Sequence, residues 1–180
     1  MGHNDGPAMS RRALLFGAVA GLKKDRAPKK KDPSQGPSRD LQLGLDALEK
    51  GDYGTAVNHL RPYVKANSED TESRALLGYG MYSLGQLVQA RVEFERALRD
   101  GGPARFCALY LGVILVRTGK RDKAVKAWKQ FLNPDQEPMT GAVLDLLVQL
   151  LDKDSEITPE MADPIETIVA QKREELLAEA

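Results

Sequence analysis

The chain has 180 residues, a formal net charge of +0 and one cysteine, Cys107. That length holds one domain and an appendage, and a lone cysteine excludes an intrachain disulfide or a cysteine-rich metal site. The two histidines, His3 and His59, are far apart, neither has a cysteine or acid at ligand spacing, and no apolar run reaches the roughly 18 residues that a membrane-spanning helix needs.

Met1 to Ala8 (MGHNDGPA) carries no usable pattern. The arm that follows, SRRALLFGAVAGLKKDRAPKKK, is strongly basic. From Arg11 to Lys31 eight Lys or Arg stand against one acid, Asp25, a net +7; with Asp5 counted, the residues from 32 on carry −6. A basic arm on an acidic body favours anionic lipid, nucleic acid or an acidic protein face. KKDRAPKKK can touch phosphates. It lacks interleaved aromatic residues, and the body is acidic, so nucleic acid is not the expected partner.

Three readings of the arm stay open. Arg11 and Arg12, the apolar stretch ALLFGAVAGL and the small-x-small Ala18-Val19-Ala20 fit an export signal. Ser10-Arg11-Arg12 resembles the start of a twin-arginine signal, with Leu14 where that motif has phenylalanine and Phe16 later. A non-cleaved anchor is the second reading. There Leu14, Leu15, Phe16, Val19 and Leu22 insert shallowly, and Arg11, Arg12, Lys23 and Lys24 meet anionic headgroups, at about 1 kcal/mol for each basic residue near the surface. The third is a docking peptide that lies in a groove of this chain or of another copy. Residues 32–38 (DPSQGPS) are a linker long and flexible enough to permit the fold-back.

After the linker the chain repeats. Gly44, Gly78 and Gly112 are spaced by 34 residues, as are Gly51, Gly85 and Gly119, and Ala56, Ala90 and Ala124. Leu60, Phe94 and Trp128 keep the same step, then Tyr63, Ala97 and Phe131. Each unit reads as two helices joined by a tight turn. In the second, Ala75, Leu76, Tyr79 and Tyr82 form one helical stripe and Leu87, Ala90, Phe94, Ala97 and Leu98 another. Gly85 between them suits the left-handed residue that ends a helix. Gly78 and Ala90 are small where the helices cross. The large residue at Leu60, Phe94 or Trp128 is expected to fill the groove towards the next unit, and hairpins of this kind stack into a solenoid.

These columns resemble the tetratricopeptide repeat (TPR) family. The Leu-Gly pairs Leu43-Gly44, Leu77-Gly78 and Leu111-Gly112 and the alanines Ala56, Ala90 and Ala124 carry the resemblance over about Pro37 to Pro138. Ser68, Gly102 and Gln136 replace the family's terminal proline, and Pro62 inside a second helix is expected to kink it. The resemblance implies an all-α, right-handed solenoid of three hairpins (37–70, 71–104, 105–138), preceded by the arm (1–36) and followed by C-terminal capping helices (139–180). A fourth repeat would need Leu-Gly where Asp145 and Leu146 stand. Instead GAVLDLLVQLLDK is apolar almost all round, so it is covered on more than one side. A last helix, roughly Pro164 to Ala178, starts at Asp163-Pro164 and can cover it with Ile165, Ile168, Val169, Leu176 and Leu177. We read this end as a cap; a dimer face is the alternative.

In the TPR family the first helices line a concave groove. Carried over, the lining is Leu41, Leu45 and Leu48; Ala75, Tyr79 and Tyr82; and Phe106, Leu109, Val113 and Val116, with Arg117 at the rim. The Lys, Arg and Asn set with which chaperone-binding members capture a C-terminal carboxylate is not there. An apolar lining suits a partner's amphipathic helix or peptide, and about half of these residues are expected to be plain core. No catalytic set, phosphate loop or cofactor fingerprint is present, TGK at Thr118 to Lys120 reads as a repeat turn, and Cys107 reads as a small buried apolar residue. The expectation is a bacterial, non-enzymatic adaptor, scaffold or assembly factor with no cofactor. It would be cytoplasmic, or peripheral on the inner face of a membrane and serving a membrane-associated complex. An exported, periplasmic factor with a cleaved arm and a self-assembling homo-oligomer are the alternatives.

Overall fold

The computed structural model describes residues 38–131, 145–146, 149–150, 156–167 and 171. The arm residues Arg11, Arg12, Leu14, Leu15, Phe16, Lys23 and Lys24, most of GAVLDLLVQLLDK, and Ile168, Val169, Leu176 and Leu177 lie outside them. The regular structure of the described residues is all helical, without a strand. Six α-helices follow one another: α1 (Arg39–Glu49), α2 (Tyr53–Ala66), α3 (Thr71–Ser83), α4 (Leu87–Arg99), α5 (Ala104–Arg117) and α6 (Arg121–Phe131), with a 3-10 turn at Pro159–Ala162. None is long and apolar enough to cross a membrane.

The helices pair in chain order, α1 with α2, α3 with α4 and α5 with α6, and each hairpin packs on the next through α2 with α3 and α4 with α5. The turns inside the hairpins follow from local chemistry. Gly51, Gly85 and Gly119 have φ of 72°, 72° and 68°, a region that costs any other residue steric strain. Each thereby closes the first helix of its pair. Asp52 starts α2 by accepting from Thr55 N at 3.1 Å, and Asp70 starts α3 by accepting from Ser73 N at 3.1 Å. Both satisfy an amide that the first helical turn leaves without a partner. The second helix α2 runs through Pro62 and ends four residues later at Ala66.

Packing inside each hairpin depends on the glycine column. A Cβ on Gly44 would stand 2.7 Å from Leu60 Cγ, one on Gly78 3.0 Å from Phe94 Cε1, and one on Gly112 1.9 Å from Trp128 Nε1. Leu60, Phe94 and Trp128 therefore fill the space over the glycine of their own hairpin, nearer than the expected seat towards the next unit. Phe94 does both, since it also stacks on Tyr110 of α5 at 5.7 Å and 9°. All three are fully buried, a burial that stabilises each by about 1.5–3 kcal/mol.

The core runs without a break through all three hairpins and takes in Leu146, Leu150, Ala162 and Ile165 from the C-terminal region. Helix α5 is buried from Phe106 to Val116, as an almost wholly apolar helix must be. One charge is buried near the surface. Arg74 donates to Glu93 at 2.9 Å and to the Ser68 carbonyl at 3.1 Å. This ties the loop after the first hairpin to α4 and compensates the guanidinium for lost water.

Candidate partner-binding face

The residues carried over as groove lining come from α1, α3 and α5. Leu41, Leu45 and Leu48 of α1 are buried, as are Tyr79 of α3 and Phe106, Leu109, Val113 and Val116 of α5. Tyr82 and Arg117 are only half-buried. These two come from different hairpins, and the structure brings them to one place.

What joins them is the segment around the 3-10 turn. The Tyr82 hydroxyl donates to Glu166 Oε1. Arg117 Nε donates to the same oxygen at 3.0 Å, and Arg117 Nη2 donates to Glu166 Oε2. The same guanidinium reaches Asp163 Oδ1 at 2.7 Å and the Pro159 carbonyl at 3.2 Å. Its planar fork therefore holds one carboxylate with two nitrogens, a second carboxylate and a backbone oxygen, all from the eight residues Pro159–Glu166. Beside these contacts Ala162 and Ile165 are fully buried, and Ile157 and Met161 pack on the core. Partial burial pushes the Glu166 carboxyl above the ordinary carboxylate value, so Tyr82 and Arg117 offset a desolvation cost at this position.

Behind Tyr82 lies a run of aromatic rings. Tyr82 meets Tyr110 edge-on at 5.1 Å, Tyr79 meets Tyr110 at 5.3 Å, and Phe106 meets Tyr110 at 5.0 Å. Tyr53 closes the other end, edge-on to Tyr79 at 5.8 Å with their hydroxyls 3.4 Å apart. Such pairs add about 0.5–1.5 kcal/mol each beyond buried area, so this wall is stiff. Sequence reasoning missed Tyr110, Tyr53, Asp163 and Glu166 as members of the site. Tyr110 follows Phe106 by one helical turn, which was the available signal. Asp163 served as a start signal for the last helix, and its acid neighbour three residues on was not used.

Two further side chains with reactive chemistry among the described residues sit in packing or linking positions. Cys107 is fully buried, and burial pushes its thiol up to about 12, far from forming a thiolate at neutral pH. His59 Nδ1 lies 3.0 Å from Asp40 Oδ1 and links α2 to α1. Among the described residues no group of three His, Cys, Asp or Glu is arranged to hold a metal ion. No family model matches the chain, and no curated protein matches it.

Proposed function

We propose that this protein is a non-enzymatic adaptor of the tetratricopeptide repeat type that binds a helix or peptide of a partner protein along the face of α3 and α5. One observation carries the reading. That face already accepts a helical segment of the chain itself, with Ala162 and Ile165 buried and Glu166 held by Tyr82 and Arg117. A surface that seats one short helix by apolar burial and a fixed polar anchor has the features by which helix-in-groove recognition works. The 34-residue columns that resemble the TPR family supply the stacked first helices on which such a face is built. The arm, net +7, serves as a second point of attachment, to an anionic membrane surface at which the adaptor would hold its partner.

The test is a pull-down with the full chain as bait, followed by mass spectrometry. Tyr82→Ala removes a contact on the face; Lys126→Ala alters an exposed residue on α6. A protein recovered by the wild type and by Lys126→Ala, and lost with Tyr82→Ala, supports the reading. Equal recovery by all three baits overturns the assignment of the face.

A further inference from the structure

We infer that Tyr82 and Arg117 form a carboxylate-reading notch for an acidic amphipathic helix of the partner, and that residues 158–167 occupy it in cis as an intramolecular competitor. This rests on the adaptor reading above and specifies the chemistry of the ligand. The notch exists only between stacked hairpins, because Tyr82 closes α3 and Arg117 closes α5. It is built from a phenol hydroxyl and a guanidinium; the guanidinium only donates, and its fork matches the two oxygens of a carboxylate.

The cis occupant shows what pattern fits. Asp163 and Glu166 stand three residues apart, and Ile165, immediately before the second acid, is fully buried. Residues 163–167 are helical, so the two acids lie on one face one turn apart, and both reach the same guanidinium. The outer side of the segment is polar, with Pro159, Glu160, Asp163 and Pro164 exposed. A partner helix with two acids at this spacing and an aliphatic residue just before the second would make the same contacts. The 3-10 turn packs on α5, so its opening would leave the pairing of the six helices in place. A cis competitor lowers the apparent affinity for any outside helix by the fraction of time the notch is filled.

The experiment uses the full chain and a labelled synthetic peptide with the sequence of residues 156–171 (EITPEMADPIETIVAQ), read by fluorescence polarisation. Glu166→Gln keeps the shape of the cis segment and removes its charge. This variant should bind the peptide roughly tenfold more tightly than the wild type does, the weight of one charge-assisted contact. Adding Arg117→Gln to Glu166→Gln should abolish that gain, while far-UV circular dichroism stays at the wild-type value. Should Glu166→Gln disturb folding, Asp163→Asn is the second variant, with a smaller gain expected. No gain in either variant, or a gain that survives Arg117→Gln, overturns the proposal. A wild-type dimer in light scattering that dissociates with Arg117→Gln also overturns it, in favour of a second copy as occupant. The two readings fail separately. Tyr82-dependent capture of a protein without any gain in peptide binding sinks the cis competitor and leaves the adaptor. A gain in peptide binding without Tyr82-dependent capture leaves the competitor and sinks the adaptor.

Discussion

The second and third hairpins solve one packing problem with different side chains. In both, a glycine of the first helix lies under an aromatic ring of the second. In the second hairpin a Cβ at Gly78 would stand 3.0–3.3 Å from the Phe94 ring; in the third, a Cβ at Gly112 would stand 1.9 Å from Trp128 Nε1 and 2.0 Å from Cε2. The larger indole lies closer to the helix backbone, and its Nε1 donates to the Leu109 carbonyl at 3.3 Å. The difference teaches that a repeat column specifies where two helices approach, while the ring that fills the contact sets how closely. The two hairpins also begin differently. Asp70 caps α3 and in addition accepts from the Ser73 hydroxyl at 3.1 Å and the Tyr63 hydroxyl at 2.8 Å. Helix α5 begins at Ala104, and its N-cap residue, Pro103, gives no side-chain cap.

The largest effect expected is that of Gly112→Ala. The added methyl group overlaps Trp128, which is fully buried, so the cost is about 3 kcal/mol or more. Chemical denaturation checks it. The comparison is sharpened by Trp128→Phe in the Gly112→Ala background, which gives the third hairpin the ring of the second. That double variant should be more stable than Gly112→Ala alone, and if it is less stable, ring size is not what separates the two hairpins.

Next comes Asp70→Ala, which removes the cap of α3 and leaves the Tyr63 hydroxyl without this acceptor. A loss of about 1–2 kcal/mol is expected, read as a lower midpoint in urea. Gly78→Ala should cost less, under about 1 kcal/mol. The Phe94 ring must yield a few tenths of an ångström against the stacked Tyr110, while alanine gains up to about 1 kcal/mol over glycine in a helix interior. A loss as large as that of Gly112→Ala would break the comparison.

The smallest effect on global stability is expected from Arg117→Ala. Its contacts are half-exposed, so about 1 kcal/mol or less is at stake. Its effect should be local instead, with hydrogen exchange rising in residues 158–167 and unchanged in α3 and α4. Cys107 offers a further readout of the third hairpin. Its thiol is favoured in the neutral form in the folded chain, so this contribution is complete below the ordinary value of 9.0 and is lost as the pH rises towards about 12. The stability difference between the wild type and Cys107→Ala should narrow through that window. Alkylation of Cys107 at pH 8 should be slow in the wild type and faster in Gly112→Ala, because the thiol reacts only when the hairpin opens.

Much of the hairpin architecture was legible in the residues. Gly85 was expected to end a helix, and it and the other two members of its column, Gly51 and Gly119, each have the positive φ that this requires. The all-helical class follows from the same spacing. The candidate face was legible only in part. Tyr82 and Arg117 were placed on it by their position in the repeat, but the apolar residues around them are buried, and the acid that meets both, Glu166, is 84 and 49 residues away in the chain. Leu60, Phe94 and Trp128 were expected to fill the groove towards the next unit, as Phe94 does against Phe106 and Tyr110, and the seat of all three over their own glycines depends on the distance between two helices, which no single position encodes.

The sequence alone determined the helices, their ends and their pairing. Those depend on φ preference, capping and 3.6-residue periodicity, all of which act within a few residues and recur with the repeat. Only the tertiary structure decided which apolar residues stay reachable and that residues 158–167 lie on the candidate face. A carboxylate meets a distant guanidinium and phenol only after the hairpins have stacked and brought the ends of α3 and α5 together, and neither periodicity nor composition records that approach.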